Sequence, residues 1–90
     1  MHEIECKITG KVQGIFFRDF VKKKARELGV CGFVENLEDR TVHVVAQGED
    51  EALKKLIEYL YKGPTAARVS KVEVVWRDIK GDYDDFGVIY

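Results

Sequence analysis

The hydrophobic period of this chain switches repeatedly between two values, and the order of the switches limits the folds open to it. Residues 3–9 alternate between polar and apolar, which predicts a half-buried strand. From Phe17 to Leu28 the apolar residues recur every three or four positions, which predicts a helix, and Gly29 stands where a helix commonly ends. The chain therefore begins with a strand, a loop and a helix.

The same pattern returns in the remaining residues. Two strands joined by a short turn at residues 38–40 form a predicted hairpin, and a second amphipathic helix ends at Gly63-Pro64. The order is βαββαβ plus a short final strand, which predicts an α+β ferredoxin-like sandwich with an antiparallel sheet and two helices on one face. The predicted strands cover residues 3–9, 31–37, 41–47, about 72–76 and 86–90, and the predicted helices about 17–28 and 49–62.

Length and charge narrow the classes of protein. A chain of 90 residues with 46% hydrophobic residues predicts one domain, residues 1–90, with a packed core. The formal net charge of −1 removes the long-range field on which general nucleic-acid and anionic-membrane binders rely. Because no stretch resembles a membrane span or a signal peptide, we expect a cytoplasmic protein without nucleic-acid or membrane partners.

The two cysteines, Cys6 and Cys31, fit neither a disulfide scaffold nor a zinc site, because neither has a close Cys or His partner in the sequence. Two reduced thiols that pack as small apolar groups are the favoured interpretation, and a bridge between them stays open. We expect no metal and no cofactor. A single serine, Ser70, makes a nucleophile-based hydrolase a poor fit.

The loop between the first strand and the first helix contains the residues that indicate a ligand-binding site. Unpaired backbone N–H groups at the start of a helix, together with the helix dipole, form a natural anion site. Gly14 lets the backbone curl, and Arg18 offers a planar charged fork that can hold a phosphate through two hydrogen bonds. From spacing alone, an ordinary turn with a surface arginine remains the alternative.

Residues 10–18, Gly-Lys-Val-Gln-Gly-Ile-Phe-Phe-Arg, closely resemble the phosphate-binding loop signature of the acylphosphatase family. So do Gly-Phe-Val-Glu-Asn-Leu at residues 32–37, Asp39 with the Thr-Val pair at 41–42, and Gly63-Pro64 followed by residues 67–69. The resemblance covers nearly the whole chain in the family's order. It implies a monomeric enzyme that hydrolyses small acyl phosphates to a carboxylate and inorganic phosphate, without a metal or a covalent intermediate.

The resemblance also implies a role for particular residues. The residue matching Arg18 binds the phosphoryl group, and the one matching Asn36 holds the attacking water. The expected partners are a small acyl phosphate and a phosphate or sulfate ion. The backbone that cradles this group corresponds to Gln13, Gly14, Ile15, Phe16, Phe17 and Arg18.

Elementary chemistry agrees with these roles. Phosphoryl transfer depends mainly on how the reacting groups are positioned and on neutralisation of the negative charge on the phosphoryl oxygens. Arg18 and the loop amides can supply both. The leaving carboxylate has a conjugate acid with a pKa of about 4, so it departs without a general acid. Asn36 cannot take a proton near neutrality but accepts a hydrogen bond from water, whose proton then passes to the substrate phosphate or to solvent.

Other residues depart from the family or invite a second interpretation. Arg40 stands at a usual glycine, Phe16 at a position that is often small, and Glu35 where a basic residue is common. We expect Glu35 to face away from Asn36, because neighbouring strand residues point to opposite faces. Phe16 is placed at the rim of the site and His43 at an exposed sheet position, while Phe17, Phe20 and Phe33 are assigned mostly to the core.

Two proteins that use this element order are poor fits. An RNA-recognition domain stacks bases on aromatic residues of its first and third strands, and neither strand has one here. A metallochaperone needs close cysteines in the first loop, which contains none. The alternative that stays open is a non-enzymatic or vestigial phosphate-binding module, in which Phe16 or Arg40 disturbs the geometry for hydrolysis.

Overall fold

The computed structural model describes residues 1–90, and its elements follow the predicted order. The first helix buries residues four apart, Phe17, Val21 and Ala25, as the hydrophobic period predicts. Gly29 follows that helix with a φ of 72°, the left-handed conformation that ends helices. The elements are β1 (His2–Lys11), α1 (Phe17–Glu27), β2 (Cys31–Asn36), β3 (Val42–Gly48), α2 (Asp50–Lys62), β4 (Arg68–Arg77) and β5 (Phe86–Ile89).

The five strands form one sheet in the order β4-β1-β3-β2-β5. The pairs β1–β3, β1–β4 and β2–β3 are antiparallel, as expected for a ferredoxin-like sandwich. The final strand differs from the predicted antiparallel sheet, because β5 pairs in parallel with β2 and makes the sheet mixed. This pairing brings the last residues of the chain beside the end of β2.

The core lies between one face of the sheet and the two helices. Every second residue of β1, namely Ile4, Cys6 and Ile8, is fully buried there, as the alternation in the sequence predicts. Leu53, Leu56 and Leu60 of α2 pack onto the same face. Neither helix is long and apolar enough to cross a membrane.

The helix-free face of the sheet is polar and its side chains are paired. Glu3 is fully buried there and accepts hydrogen bonds from Gln47 at 2.8 Å and from Arg77. Burial opposes the charge of Glu3, but these hydrogen bonds and the Arg77 guanidinium outweigh it and lower the pKa of Glu3. The segment of residues 78–85 covers this end of the face, where Gln47 also donates to the carbonyls of residues 80 and 81.

Two assignments made from the sequence change on this face. Phe33 lies outside the core, because Gly32 and Val34 take the positions that face the helices, and its ring packs against Tyr83. His43 is half-buried rather than exposed. Its two ring nitrogens lie 2.7 Å from a carboxylate oxygen of Glu5 and 2.9 Å from one of Glu35.

Both cysteines are free thiols. Cys6 lies in the core, where burial raises the pKa of its thiol to about 12. Cys31 pairs with Gln47 in the strand register, whereas Cys6 pairs with Val44, so the two side chains lie on opposite faces of the sheet. The favoured interpretation of two unbridged thiols is therefore confirmed.

Candidate active site

A cavity of about 350 Å³ opens where the loop after β1 meets the end of β2. This volume is at the small end of the range, about 300–1,000 Å³, that is typical of small-molecule sites. Its wall combines polar and apolar side chains from three separate parts of the chain. The lining residues are Val12, Gly14, Phe16, Phe17, Arg18, Asp19, Asn36 and Tyr90.

The loop that forms one wall turns through two left-handed residues. Gly14 has a φ of 74°, and Phe16, the residue that caps α1, has a φ of 60° and a ψ of 24°. No side chain caps this helix, and no loop hydrogen bond is donated by a backbone N–H of residues 13–19. These N–H groups, together with the positive end of the helix dipole, favour an anion in the cavity.

Arg18 brings the positive charge of the cavity. It stands in the first turn of α1, and its guanidinium carbon lies 4.8 Å from the centre of the Tyr90 ring. A long hydrogen bond of 3.4 Å joins it to the carbonyl of Ile89, and it takes part in none of the ion pairs of the protein. The guanidinium is therefore oriented by β5 while its charge stays available to an anion.

Asn36 brings an acceptor to the same cavity from the end of β2. Its Oδ1 atom is buried and has no hydrogen-bond partner within the protein, the only side-chain polar atom in this state. A buried polar atom left unpaired costs about 1–3 kcal/mol, so such atoms in folded proteins usually serve a ligand or an ordered water. The carboxamide of Asn36 is thus suited to hold a water molecule beside the bound anion.

Gln13 joins the loop to the β2–β3 hairpin. Its Nε2 donates to the carbonyl of Leu37 at 2.9 Å and to that of Thr41 at 2.8 Å, so both N–H donors of its side chain are used. The two carbonyls flank the turn that follows Asn36. By this contact the loop that carries Arg18 and the strand that carries Asn36 are held at a set separation.

The hairpin turn itself is tied by Asp39. Its Oδ1 accepts from the backbone N–H and the hydroxyl of Thr41, and its Oδ2 lies 3.0 Å from Lys7 Nζ. These contacts, the Thr41 hydroxyl first, lower the pKa of Asp39 to about 2. Arg40 has a φ of 70°, so the departure from glycine at this position leaves a residue with a side chain in the left-handed region.

The structure brings together most of the residues that the sequence singled out. Arg18 and Asn36 share the cavity, with Gly14, Phe16 and Phe17 of the predicted cradle. Gln13 and Ile15 are outside the lining, since Gln13 braces the hairpin and Ile15 packs against the core. Glu35 faces away from the cavity toward His43, as strand alternation predicts.

The sequence analysis missed Val12, Asp19 and Tyr90 as lining residues. Val12 lies within the recognised motif of residues 10–18 and Asp19 follows it directly, so the motif itself could have indicated both. Tyr90 lies 72 positions from Arg18 and reaches it only through the parallel pairing of β5 with β2. No local pattern in the sequence signals that pairing.

Unpaired backbone amides, a guanidinium outside any ion pair and the carboxamide of Asn36 thus meet at one cavity on a ferredoxin-like sandwich. This combination defines a small α+β protein whose site suits a phosphoryl group. Residues 4–88 match the family described as Acylphosphatase, and the chain belongs to the acylphosphatase family.

Individual relatives agree with this membership. The chain is 43% identical, over the full length of both proteins, to a protein named acylphosphatase from Dehalococcoides mccartyi. A solved acylphosphatase structure from Coxiella burnetii shares 43% identity at a TM-score of 0.92, covering 98% of this chain and 92% of that one. The crystal structure of acylphosphatase from Bacillus subtilis superposes over 100% of both chains with a TM-score of 0.97 and 28% identity.

Proposed function

We propose that this chain hydrolyses small acyl phosphates to a carboxylate and inorganic phosphate, the activity that membership of the acylphosphatase family supports. One observation carries the assignment of roles. Arg18 and Asn36 line the same cavity, the first with no carboxylate partner and the second with an unpartnered buried oxygen. One residue therefore serves the phosphoryl group and the other serves the water that attacks it.

The phosphoryl group binds at the loop between β1 and α1. Its equatorial oxygens accept hydrogen bonds from the unpaired backbone N–H groups, and the Arg18 guanidinium neutralises the charge that remains. The loop has its shape before substrate arrives, because Gln13 fastens it to the hairpin and Gly14 supplies the tight turn. Such preorganised donors stabilise a transition state without further rearrangement.

The attacking water is oriented by Asn36. Its Oδ1 accepts a hydrogen bond from the water, whose oxygen then attacks phosphorus while the bond between phosphorus and the acyl oxygen breaks. The electron pair of that bond leaves with the carboxylate. The proton of the water passes to the phosphate product or to solvent, because the amide does not take it up.

No side chain has to protonate the leaving group. The conjugate acid of a carboxylate has a pKa of about 4, so the carboxylate departs as an anion at neutral pH. Asp19 has the only acidic side chain among the lining residues, and the reaction assigns it no proton. Hydrolysis near neutrality therefore depends on position and charge rather than on acid–base catalysis.

We further propose that residues 1–90 act as one cytoplasmic, monomeric domain that needs no metal and also binds free phosphate or sulfate. One continuous hydrophobic core supports the single domain. The lack of any group of three metal-ligating side chains supports the metal-free reaction. The free thiols fit a reducing compartment.

The test is hydrolysis of benzoyl phosphate by the purified protein in excess chelator, with Arg18→Ala as the paired variant. We expect turnover to survive chelation and to be lost in Arg18→Ala, because no other side chain of the loop offers a charged fork. Binding of inorganic phosphate, measured directly by titration calorimetry, should disappear in the same variant.

Two results would contradict the proposal. A wild-type protein that binds phosphate without turnover would be a non-enzymatic phosphate-binding module. An Arg18→Ala variant that keeps its phosphate affinity would remove Arg18 from the binding site.

A further inference from the structure

Phe16 is an exposed aromatic residue in a backbone conformation that such a residue rarely adopts. Its φ of 60° lies in the left-handed region, which costs a residue with a bulky side chain free energy that glycine would avoid. Its side chain is 81% exposed and is absent from the core, so packing does not compensate. The left-handed backbone belongs to the turn that forms the anion-binding loop, so it does not account for the exposed ring, which is left for contact with a ligand of the cavity.

Three aromatic residues line the cavity, and only one of them has a free ring. Phe17 is 1% exposed and belongs to the core, and the Tyr90 ring is occupied by the Arg18 guanidinium at 4.8 Å. Phe16 makes neither an aromatic pair nor a cation–π contact. A flat apolar surface therefore stands open at the edge of a site whose other end binds an anion.

From these observations we infer that Phe16 selects the acyl group, and that the substrates used best are those with a flat apolar acyl group, such as an aroyl phosphate. This inference rests on the proposed function. Once the phosphoryl group is held by the loop and Arg18, the acyl group occupies the rest of the cavity, where the Phe16 ring supplies apolar contact. Binding energy gained there raises kcat/KM for the larger substrate.

Charge at the cavity points to the same substrate class. Asp19 lines the wall next to Arg18 and takes part in no ion pair, so it adds a negative charge at the cavity. An acyl group that carries its own carboxylate meets repulsion here, whereas a neutral ring does not. Neutral aroyl phosphates are therefore favoured over acyl phosphates with an anionic acyl chain.

The experiment compares kcat/KM for benzoyl phosphate and for acetyl phosphate in the wild type, Phe16→Gly and Phe16→Tyr. Glycine keeps the backbone N–H, adopts the same φ without strain and removes the ring. We expect the benzoyl-to-acetyl ratio to fall about threefold to tenfold in Phe16→Gly, the range measured for aromatic pairs. It should stay near the wild-type value in Phe16→Tyr, which keeps the ring.

The outcomes separate this inference from the proposed function. A wild-type protein that hydrolyses neither substrate would refute both. Hydrolysis of both substrates with an equal ratio in the wild type and in Phe16→Gly would refute the role of Phe16 and leave the proposed function standing. A loss of phosphate inhibition in both Phe16→Gly and a second ring-free variant, Phe16→Asn, would show that the ring supports the loop, which also overturns the inference.

Discussion

Two amide side chains in this protein differ in how their polar atoms are paired. Gln47 donates to Glu3 and to two carbonyls of the 78–85 segment, whereas the Oδ1 of Asn36 is buried without a partner. The first amide stabilises the fold at the helix-free face. The second leaves an acceptor unpaired beside the cavity, at a cost to stability. Stability and function are thus separated between chemically similar groups.

Removing the Asn36 amide should therefore impair catalysis while sparing the fold. We expect kcat of Asn36→Ala to fall about 100-fold to 1,000-fold, the range seen when one preorganised polar group of an active site is lost. Phosphate inhibition should persist, because Arg18 and the loop are intact. The free energy of unfolding should stay level or rise, by at most about 1–3 kcal/mol, since no hydrogen bond within the protein is lost and an unpaired buried oxygen is removed. Steady-state kinetics and urea unfolding measure these quantities.

Gln47→Ala is the matched control for that variant. It should lower the free energy of unfolding by about 1–3 kcal/mol, because Glu3 and two carbonyls lose a donor, while kcat stays near the wild-type value. An Asn36→Ala variant that loses stability like Gln47→Ala but keeps its turnover would make Asn36 a structural residue.

Among the elements, the β2–β3 hairpin has the closest link to the site. Its turn follows Asn36 directly, and it is held by the Asp39 carboxylate from within and by the Gln13 amide from the loop. Within this turn Arg40 has a positive φ. The hairpin thus contains a strained residue four positions beyond a candidate catalytic one.

Arg40→Gly should relieve that strain. A left-handed residue with a side chain costs about 1–2 kcal/mol, and the added flexibility of glycine in the unfolded chain offsets about 0.5–1 kcal/mol of the gain. We expect the free energy of unfolding to rise by about 0.5–1 kcal/mol, measured by urea unfolding. Arg40→Ala removes the same side chain but keeps the strain, so it should not stabilise. If alanine stabilises as much as glycine, the gain comes from the loss of charge.

The elements were predictable because their signals are local. Alternation in β1, the spacing of Phe17, Val21 and Ala25 in α1, and Gly29 at its end depend on neighbouring residues alone. The direction of β5 and the face occupied by Phe33 depend on which strands pair and in what register. Those contacts join distant parts of the chain, and hydrophobic period does not encode them.

The candidate site likewise combines features that the local sequence predicts with features that depend on tertiary contacts. The loop motif and the strand-end asparagine were visible because each stands in a short, specific stretch of sequence. The free state of the Asn36 oxygen and the stacking of Tyr90 on Arg18 come from tertiary packing, which no spacing reveals. The bracing role of the Gln13 side chain was hidden for the same reason.

At the scale of the molecule, the anion site couples ligand binding to global stability. A ligand that binds only the folded state stabilises it by about 2.7 kcal/mol at 100 times its dissociation constant. For a domain of this size, each 1 kcal/mol raises Tm by about 4–8 °C. We expect a phosphate titration to raise the Tm of the wild type by about 10–20 °C at that concentration, followed by differential scanning calorimetry.

Arg18→Ala separates specific binding from a general salt effect. This variant should show little of the shift, and sodium chloride at equal ionic strength should not reproduce it in the wild type. Equal shifts in wild type and variant would mean that phosphate acts elsewhere on the molecule.

The parallel docking of β5 beside β2 has a consequence for the timing of assembly. Arg18 is oriented by Ile89 and Tyr90, so the guanidinium has its partners only when strand β5 has joined the sheet. During synthesis the N-terminal half emerges first. Ile89 and Tyr90, which orient Arg18, are added more than 70 positions later. A nascent chain therefore carries the phosphate loop on the ribosome before it has the arginine in position, and contacts of such long sequence separation slow the final folding step.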